Sequence, residues 1–162
     1  MDRLWAPWRM QYIAGPAKPG CLFERVLEHP DDEDAQLVLW RPAGAIVLLN
    51  KFPYNPGHAL VAPRAHKASL EELDDEESLD LMRALRRTIT VLRRVMSPHG
   101  FNVGLNLGES AGGSLAEHLH VHVVPRWGGD ANFITIIGDS KVIPQLLRDT
   151  RRLLATEWEK QT

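Results

Sequence analysis

Cysteine is nearly absent from this 162-residue chain, Cys21 being the only one. A single thiol excludes an intramolecular disulfide and agrees with a reducing compartment, so a cytoplasmic location is expected. No stretch approaches the ~20 consecutive apolar residues of a membrane-spanning helix. The first residues carry Trp5, Pro7, Trp8 and Arg9 where a signal peptide needs an apolar run. An excess of one charge is also missing. Lys plus Arg number 19 and Asp plus Glu 21, a net charge of −2, which gives no electrostatic reason to expect a nucleic-acid or membrane partner. Internal repeats and low-complexity blocks are absent.

What is present is an ordinary globular balance, 44% hydrophobic and 25% charged. A chain of this length buries on the order of 70% of its unfolded surface, and residues 1–162 are read as one domain. Residues 1–20 form an arm in which Leu4, Trp5, Trp8, Met10, Tyr12 and Ile13 crowd together. Disordered tails lack aromatics, so the arm is expected to pack on the body or on a partner subunit.

The most informative stretch is Glu117-His118-Leu119-His120-Val121-His122-Val123-Val124-Pro125-Arg126-Trp127. Three histidines alternate with apolar residues. In a strand the side chains alternate between faces, so His118, His120 and His122 share one face while Leu119, Val121 and Val123 turn to the core. A helix would scatter the imidazoles around its circumference. Imidazole is a nucleophile, a proton carrier near neutral pH and a metal ligand. The competing readings are a solvated strand face and a purely structural metal strip.

The remaining pattern predicts a mixed fold. Strands are expected at Gln36 to Trp40, Ala45 to Leu49, Ala59 to Ala62 and Phe101 to Leu107. The acidic run His29 to Asp34 reads as a solvated loop. Ser69 to Leu73 fits a short helical turn with a capping-box-like start. A long helix is expected from about Glu76 to Met96, with Leu79, Met82, Leu85, Ile89, Leu92 and Met96 as its apolar stripe. Its early acids and later arginines suit the helix dipole better than a nucleic-acid face. A final helix follows Pro144 within the extension 139–162, its inner face marked by Leu147, Thr150, Leu154 and Trp158 and widened by Leu146 and Leu153.

His118 to Val124 matches the pattern His-φ-His-φ-His-φ-φ, with φ apolar, and the chain resembles the histidine-triad superfamily of nucleotide hydrolases and transferases. Pro125-Arg126-Trp127 and Leu4-Trp5-Ala6-Pro7-Trp8-Arg9 resemble its bacterial dinucleoside-polyphosphate branch. The resemblance spans roughly residues 4 to 135. It implies an α+β fold of about five antiparallel strands packed with the long helix, to which the residue pattern adds the C-terminal helix. It also implies a homodimer.

The resemblance assigns roles residue by residue. His120 is the expected nucleophile, forming an adenylyl-histidine. His122 contacts phosphate and His118 orients the neighbourhood. Asn50-Lys51-Phe52-Pro53-Tyr54-Asn55-Pro56-Gly57-His58 resembles the family's Asn-x-x-Pro-x-x-Pro-Gly-His stretch, which points Asn50 at ribose and brings His58 to the site, as a direct participant or a buried structural histidine. Asn106, Gly113, Ser114 and Trp127 complete the expected substrate contacts. Ser114 stands where many hydrolase relatives have glutamine, a departure shared with the phosphorylase subgroup, in which inorganic phosphate resolves the intermediate. Many relatives carry Cys-x-x-Cys where this chain has Cys21-Leu22-Phe23-Glu24. A structural zinc on Cys21, Glu24, His66 and His118 is chemically sound, against the alternative of a buried thiol and a surface glutamate.

The expected function is cleavage of diadenosine polyphosphates, with nucleotidyl transfer to phosphate giving ADP and ATP from diadenosine tetraphosphate. A hydrolase of dinucleoside polyphosphates or nucleoside phosphoramidates using water is the enzyme rival, and a non-catalytic nucleotide-binding protein the rival of another class. The chemistry itself requires no cofactor, and a divalent metal accompanying the nucleotide is left open.

Overall fold

A computed structural model describes residues 20–111, 115–130 and 145–160. The N-terminal arm, the glycine-rich loop at 112–114, and the segment 131–144 with Pro144 lie outside them. The described residues form α1 (Leu22–Glu28), β1 (Val38–Trp40), β2 (Ala45–Leu49), β3 (Ala59–Pro63), α2 (Asp75–Met96), β4 (Gly100–Leu105), β5 (Val121–Arg126) and α3 (Leu147–Glu159). The strands make one five-stranded sheet in the order β1-β2-β3-β5-β4, each neighbouring pair antiparallel. This is the expected α+β architecture. No helix among the described residues is long and apolar enough to cross a membrane.

β2 and β3 lie inside the sheet and every residue of both is buried, so they read as unbroken apolar runs. One face of the sheet packs under α2 and α3 with Val47, Leu49, Val61, Leu119, Val121 and Val123. The other face carries Ile46, Leu48, Leu60 and Ala62 against Phe23 and Val26 of α1. His122 pairs with Leu60 and Gly104. Directly paired residues share a face, so His122 stands on the α1 side, while its neighbours Val121 and Val123 enter the opposite core.

Five local expectations are corrected. Gln36 and Leu37 belong to a 3-10 turn, Glu33–Leu37, rather than to a strand. The acidic loop before it is not all solvated, because Asp34 is buried and pairs with Arg25 and Lys51. The long helix starts with a capping box between Asp74 and Glu77, whereas Ser69 makes no side-chain cap. The α2 residues turned inward are Leu81, Ala84, Thr88, Val91 and Leu92, while Leu79 and Met82 are 48% and 53% exposed. Leu85, Ile89, Leu92 and Met96 of the expected stripe do pack on the core, but burial centres on the neighbouring face, where Ala84 and Thr88 allow close approach. In α3, Thr150, Leu154 and Trp158 are buried as expected, but Leu146 and Leu153 are exposed.

β4 and β5 also begin and end differently from expectation. β4 stops at Leu105. β5 starts at Val121, so His118 and His120 precede the regular ladder. Backbone groups there have other partners. The Leu119 N–H donates to the Lys67 carbonyl at 2.7 Å, and the His118 carbonyl accepts from the His120 ring at 2.8 Å. Such a local side-chain bond competes with sheet pairing. The alternation survives nonetheless, since Leu119 still enters the core.

Candidate active site

Phe23, fully buried in α1, forms the floor of the site. Its ring centroid lies 4.7 Å from that of His118 and 5.7 Å from that of His120. It was overlooked in the sequence because an apolar residue in a short amphipathic segment carries no chemical signal. His118 and His120 are 2% and 5% exposed, and the His120 and His122 rings are 5.0 Å apart. The three imidazoles therefore form one row.

Hydrogen bonds decide which nitrogen of each ring is free. A neutral imidazole donates from one nitrogen and accepts at the other. Nδ1 of His120 faces the His118 carbonyl at 2.8 Å and must carry the proton, which leaves a lone pair on Nε2. Burial lowers the pKa of this ring below its ordinary value, so it is neutral near pH 7. His120 thus presents an unprotonated nitrogen in a pocket where most competing water is excluded.

His122 has the opposite tautomer, set through a residue 64 positions away in the chain. The Tyr54 backbone N–H donates to His58 Nδ1 at 3.1 Å. His58 therefore carries its proton on Nε2 and donates it to His122 Nδ1 at 3.0 Å. The remaining proton of His122 sits on Nε2, so the Asn106 amide 3.4 Å away must turn its oxygen rather than its nitrogen to that proton. Burial pushes the His58 pKa down to about 3, and burial followed by the His120 ring pushes His122 down to about 4. Neither ring is a cation at neutral pH. His120 offers a lone pair and its neighbour two residues on offers a proton, an arrangement suited to attacking phosphorus while donating to an oxygen of the same group.

The loop between β2 and β3 holds this relay. The Asn50 N–H donates to the His58 carbonyl at 2.8 Å and closes the loop, while the Asn50 side chain lies 3.4 Å from His58 Nδ1. Gly57 has φ +74°, a left-handed conformation, and a Cβ there would meet the Met96 sulfur at 2.6 Å. The positive φ calls for glycine, and a side chain there would also push the Met96 thioether aside. Asn55, 1% exposed, donates to the Pro125 carbonyl and to Asp130 at 2.8 and 2.7 Å. Asp130 also receives two bonds from Arg126, and these bonds hold its carboxyl well below the usual carboxylate range. Asn55, Tyr54 and Asp130 were not singled out in the sequence, where each resembles an ordinary turn residue.

At the other end of the row, His118 Nε2 donates to the Pro63 carbonyl at 2.9 Å, leaving Nδ1 free 3.2 Å from the Cys21 sulfur. Cys21, His66 and His118 place one donor atom each within 4.8 Å of one another. Glu24 lies beyond that group of three but bonds His66 Nδ1 at 2.9 Å. A thiol, two imidazoles and a carboxylate that bonds one of them suit zinc. The Pro63 carbonyl already supplies the outer bond that orients a ligating histidine.

Not every expected contact gathers here. Trp127 lies past the end of β5, its indole N–H donating to the Met96 carbonyl at the end of α2 at 3.3 Å, away from the histidine row of its own chain. Gly113 and Ser114 lie outside the described residues. An open depression of about 680 Å³, bordered by Arg41, Lys51, Arg148 and Arg151, includes none of the histidines. The chemistry is legible in bond geometry rather than in concavity.

A buried histidine with a free ring nitrogen beside a proton-bearing histidine, leading into an inner strand of an antiparallel sheet, defines a class. Residues 32–129 match the HIT domain, and the chain belongs to the histidine-triad family. It is 57% identical over 170 residues to the AP-4-A phosphorylase of Mycobacterium tuberculosis, an alignment covering 99% of this chain and 86% of that protein. Its fold is similar to that of a zinc-bound histidine triad family protein from Mycobacterium smegmatis, with TM-score 0.69 and 25% identity over 88% of this chain and 95% of that one. A hypothetical histidine triad nucleotide-binding protein from Sulfolobus tokodaii gives TM-score 0.70 and 22% identity over 86% and 93% of the two chains.

Proposed function

We propose that the protein is an enzyme that cleaves diadenosine polyphosphates by nucleotidyl transfer, with diadenosine tetraphosphate as substrate and inorganic phosphate as acceptor. The observation that carries this reading is the pair of opposite tautomers. Nε2 of His120 attacks the α-phosphorus, and the bond from that phosphorus to the bridging oxygen breaks. ATP leaves and AMP stays on His120 as a phosphoramidate. The imidazolium so formed keeps its Nδ1–H on the His118 carbonyl, which eases its positive charge. The Nε2–H of His122 donates to the phosphoryl group. An oxygen of inorganic phosphate then attacks the same phosphorus, the P–N bond breaks, ADP forms and His120 returns to neutral imidazole. The AP-4-A phosphorylase relative supports the choice of substrate and acceptor. Ser114 in place of glutamine supports phosphate over water, since a shorter side chain leaves room for a second anion and offers a hydroxyl donor.

Chromatography of products decides between phosphate and water. Diadenosine tetraphosphate with phosphate is expected to give ADP and ATP. AMP and ATP at a rate indifferent to added phosphate would establish the hydrolase instead.

The same reading includes a zinc on Cys21, His66 and His118, with Glu24 as fourth ligand or as the partner of His66. Bound there, zinc ties α1 to the loop after β3 and to the start of the histidine row, and takes no part in the transfer. It also includes a homodimer. Leu79 and Met82 on α2, and Val103 on the edge strand β4, are apolar and 45% to 53% exposed, the kind of surface that a second copy covers. Sedimentation as a monomer at micromolar concentration would overturn the dimer.

A further inference from the structure

Tyr54 is half exposed although its surroundings are fixed. Its backbone N–H is bound to His58, and Pro53 and the closed β2–β3 loop limit its movement. Its ring centroid lies 4.8 Å from that of His58 and 6.3 Å from that of His122, nearly parallel to the latter at 19°. One side of the phenol ring therefore faces the histidines, and the ring is 50% exposed to solvent. Solvent access grows along the row, from His120, which is 5% exposed, through half-buried His122, to Tyr54. An aromatic ring that packs on the histidines with one side and leaves half its surface to solvent, held at the outer end of the row, is a platform for a planar ligand.

We propose that Tyr54 stacks the second base of a dinucleoside polyphosphate, the base that departs with the leaving nucleotide. The inference rests on the reaction proposed above. With one α-phosphorus at Nε2 of His120, the rest of the polyphosphate must leave the buried end and pass His122 on its way to solvent. Among the described residues, the aromatic ring beside His122 on that path is Tyr54. Stacking on a pre-positioned ring costs little ordering and tolerates any base, so Tyr54 selects for the presence of a second nucleoside rather than for its identity. Tyr54 is a specificity-determining residue in this account, not a catalytic one.

The test compares two ligands that differ only in the second nucleoside, diadenosine tetraphosphate and adenosine 5′-tetraphosphate. Dissociation constants are measured on the full chain carrying His120→Ala, with and without Tyr54→Ala or Tyr54→Phe. The background holding Tyr54 is expected to bind the dinucleotide about tenfold more tightly than the mononucleotide. Tyr54→Ala should bring that ratio close to one, and Tyr54→Phe should retain it. Equal affinity for the two ligands with Tyr54 present, or a ratio that survives Tyr54→Ala, overturns the platform. A Tyr54→Ala protein that weakens both ligands equally also overturns it, because that is the signature of a ring that only shelters His58 and His122. The binding ratio is independent of turnover. A wild-type enzyme that shows the ratio but releases no ADP would refute the phosphorylase reaction and leave the platform standing.

Discussion

His118 and His122 are the same residue type, four positions apart in one row, yet the fold gives them opposite surroundings. His118 is anchored by the Pro63 carbonyl and aims its free nitrogen at Cys21 and His66. His122 is anchored by His58 and aims a proton at the open side of the site. One end of the row is equipped to hold a cation and the other to hold a phosphate. Between them, His120 takes its orientation from the His118 backbone rather than from any side chain. Side-chain identity in a repeated pattern thus says little about role. The partner of the second ring nitrogen says a great deal.

The largest expected effect comes from removing the centre of the row. His120→Ala should lower turnover of diadenosine tetraphosphate by at least about 10⁴-fold, on the scale of losing a nucleophile, with an unchanged circular dichroism spectrum. A normally folded, active variant would end the covalent mechanism. Next is the His122 end. His58→Ala removes the donor that fixes the His122 tautomer, and kcat is expected to fall about 10²-fold with little change in KM. If KM rises while kcat holds, His58 binds substrate directly and the relay is wrong.

The His118 end should respond differently. Cys21→Ala is expected to reduce bound zinc, measured by elemental analysis, from one per chain to a small fraction. The melting temperature should fall, while kcat stays within about tenfold of the parent because no step passes through the metal. Zinc retained in full, or turnover lost as severely as in His120→Ala, would break the division between the two ends.

The smallest effect is on pH dependence. His58 and His122 have folded pKa values of about 3 and about 4, both below the ordinary 6.5. Between those limits the unfolded chain binds more protons than the folded one, so stability rises with pH across that window. The two rings impose no penalty above about pH 6.5 and a growing one as pH falls towards 4. Denaturant midpoints of the parent and of His58→Ala should converge as pH is lowered from 7 to 5. Parallel curves would show that His58 is not held neutral by its surroundings.

Much of this protein was determined by sequence alone, because short-range rules act on neighbouring residues. Alternation from His118 to Val123 was enough to send three imidazoles one way and Leu119, Val121 and Val123 the other. Apolar residues at spacings of three and four marked the long helix. Apolar runs at Ala45–Leu49 and Ala59–Ala62 marked strands. Tertiary structure decided the rest. Spacing in α2 marked a stripe from Leu79 to Met96, and contact with the sheet kept its later part while shifting the buried centre to Ala84 and Thr88. Cys21 meets His118 across 97 positions and His58 meets His122 across 64. No local pattern announces either contact. An imidazole becomes a nucleophile, a donor or a ligand according to which atom lies about 3 Å from its other nitrogen, and only the folded chain places that atom.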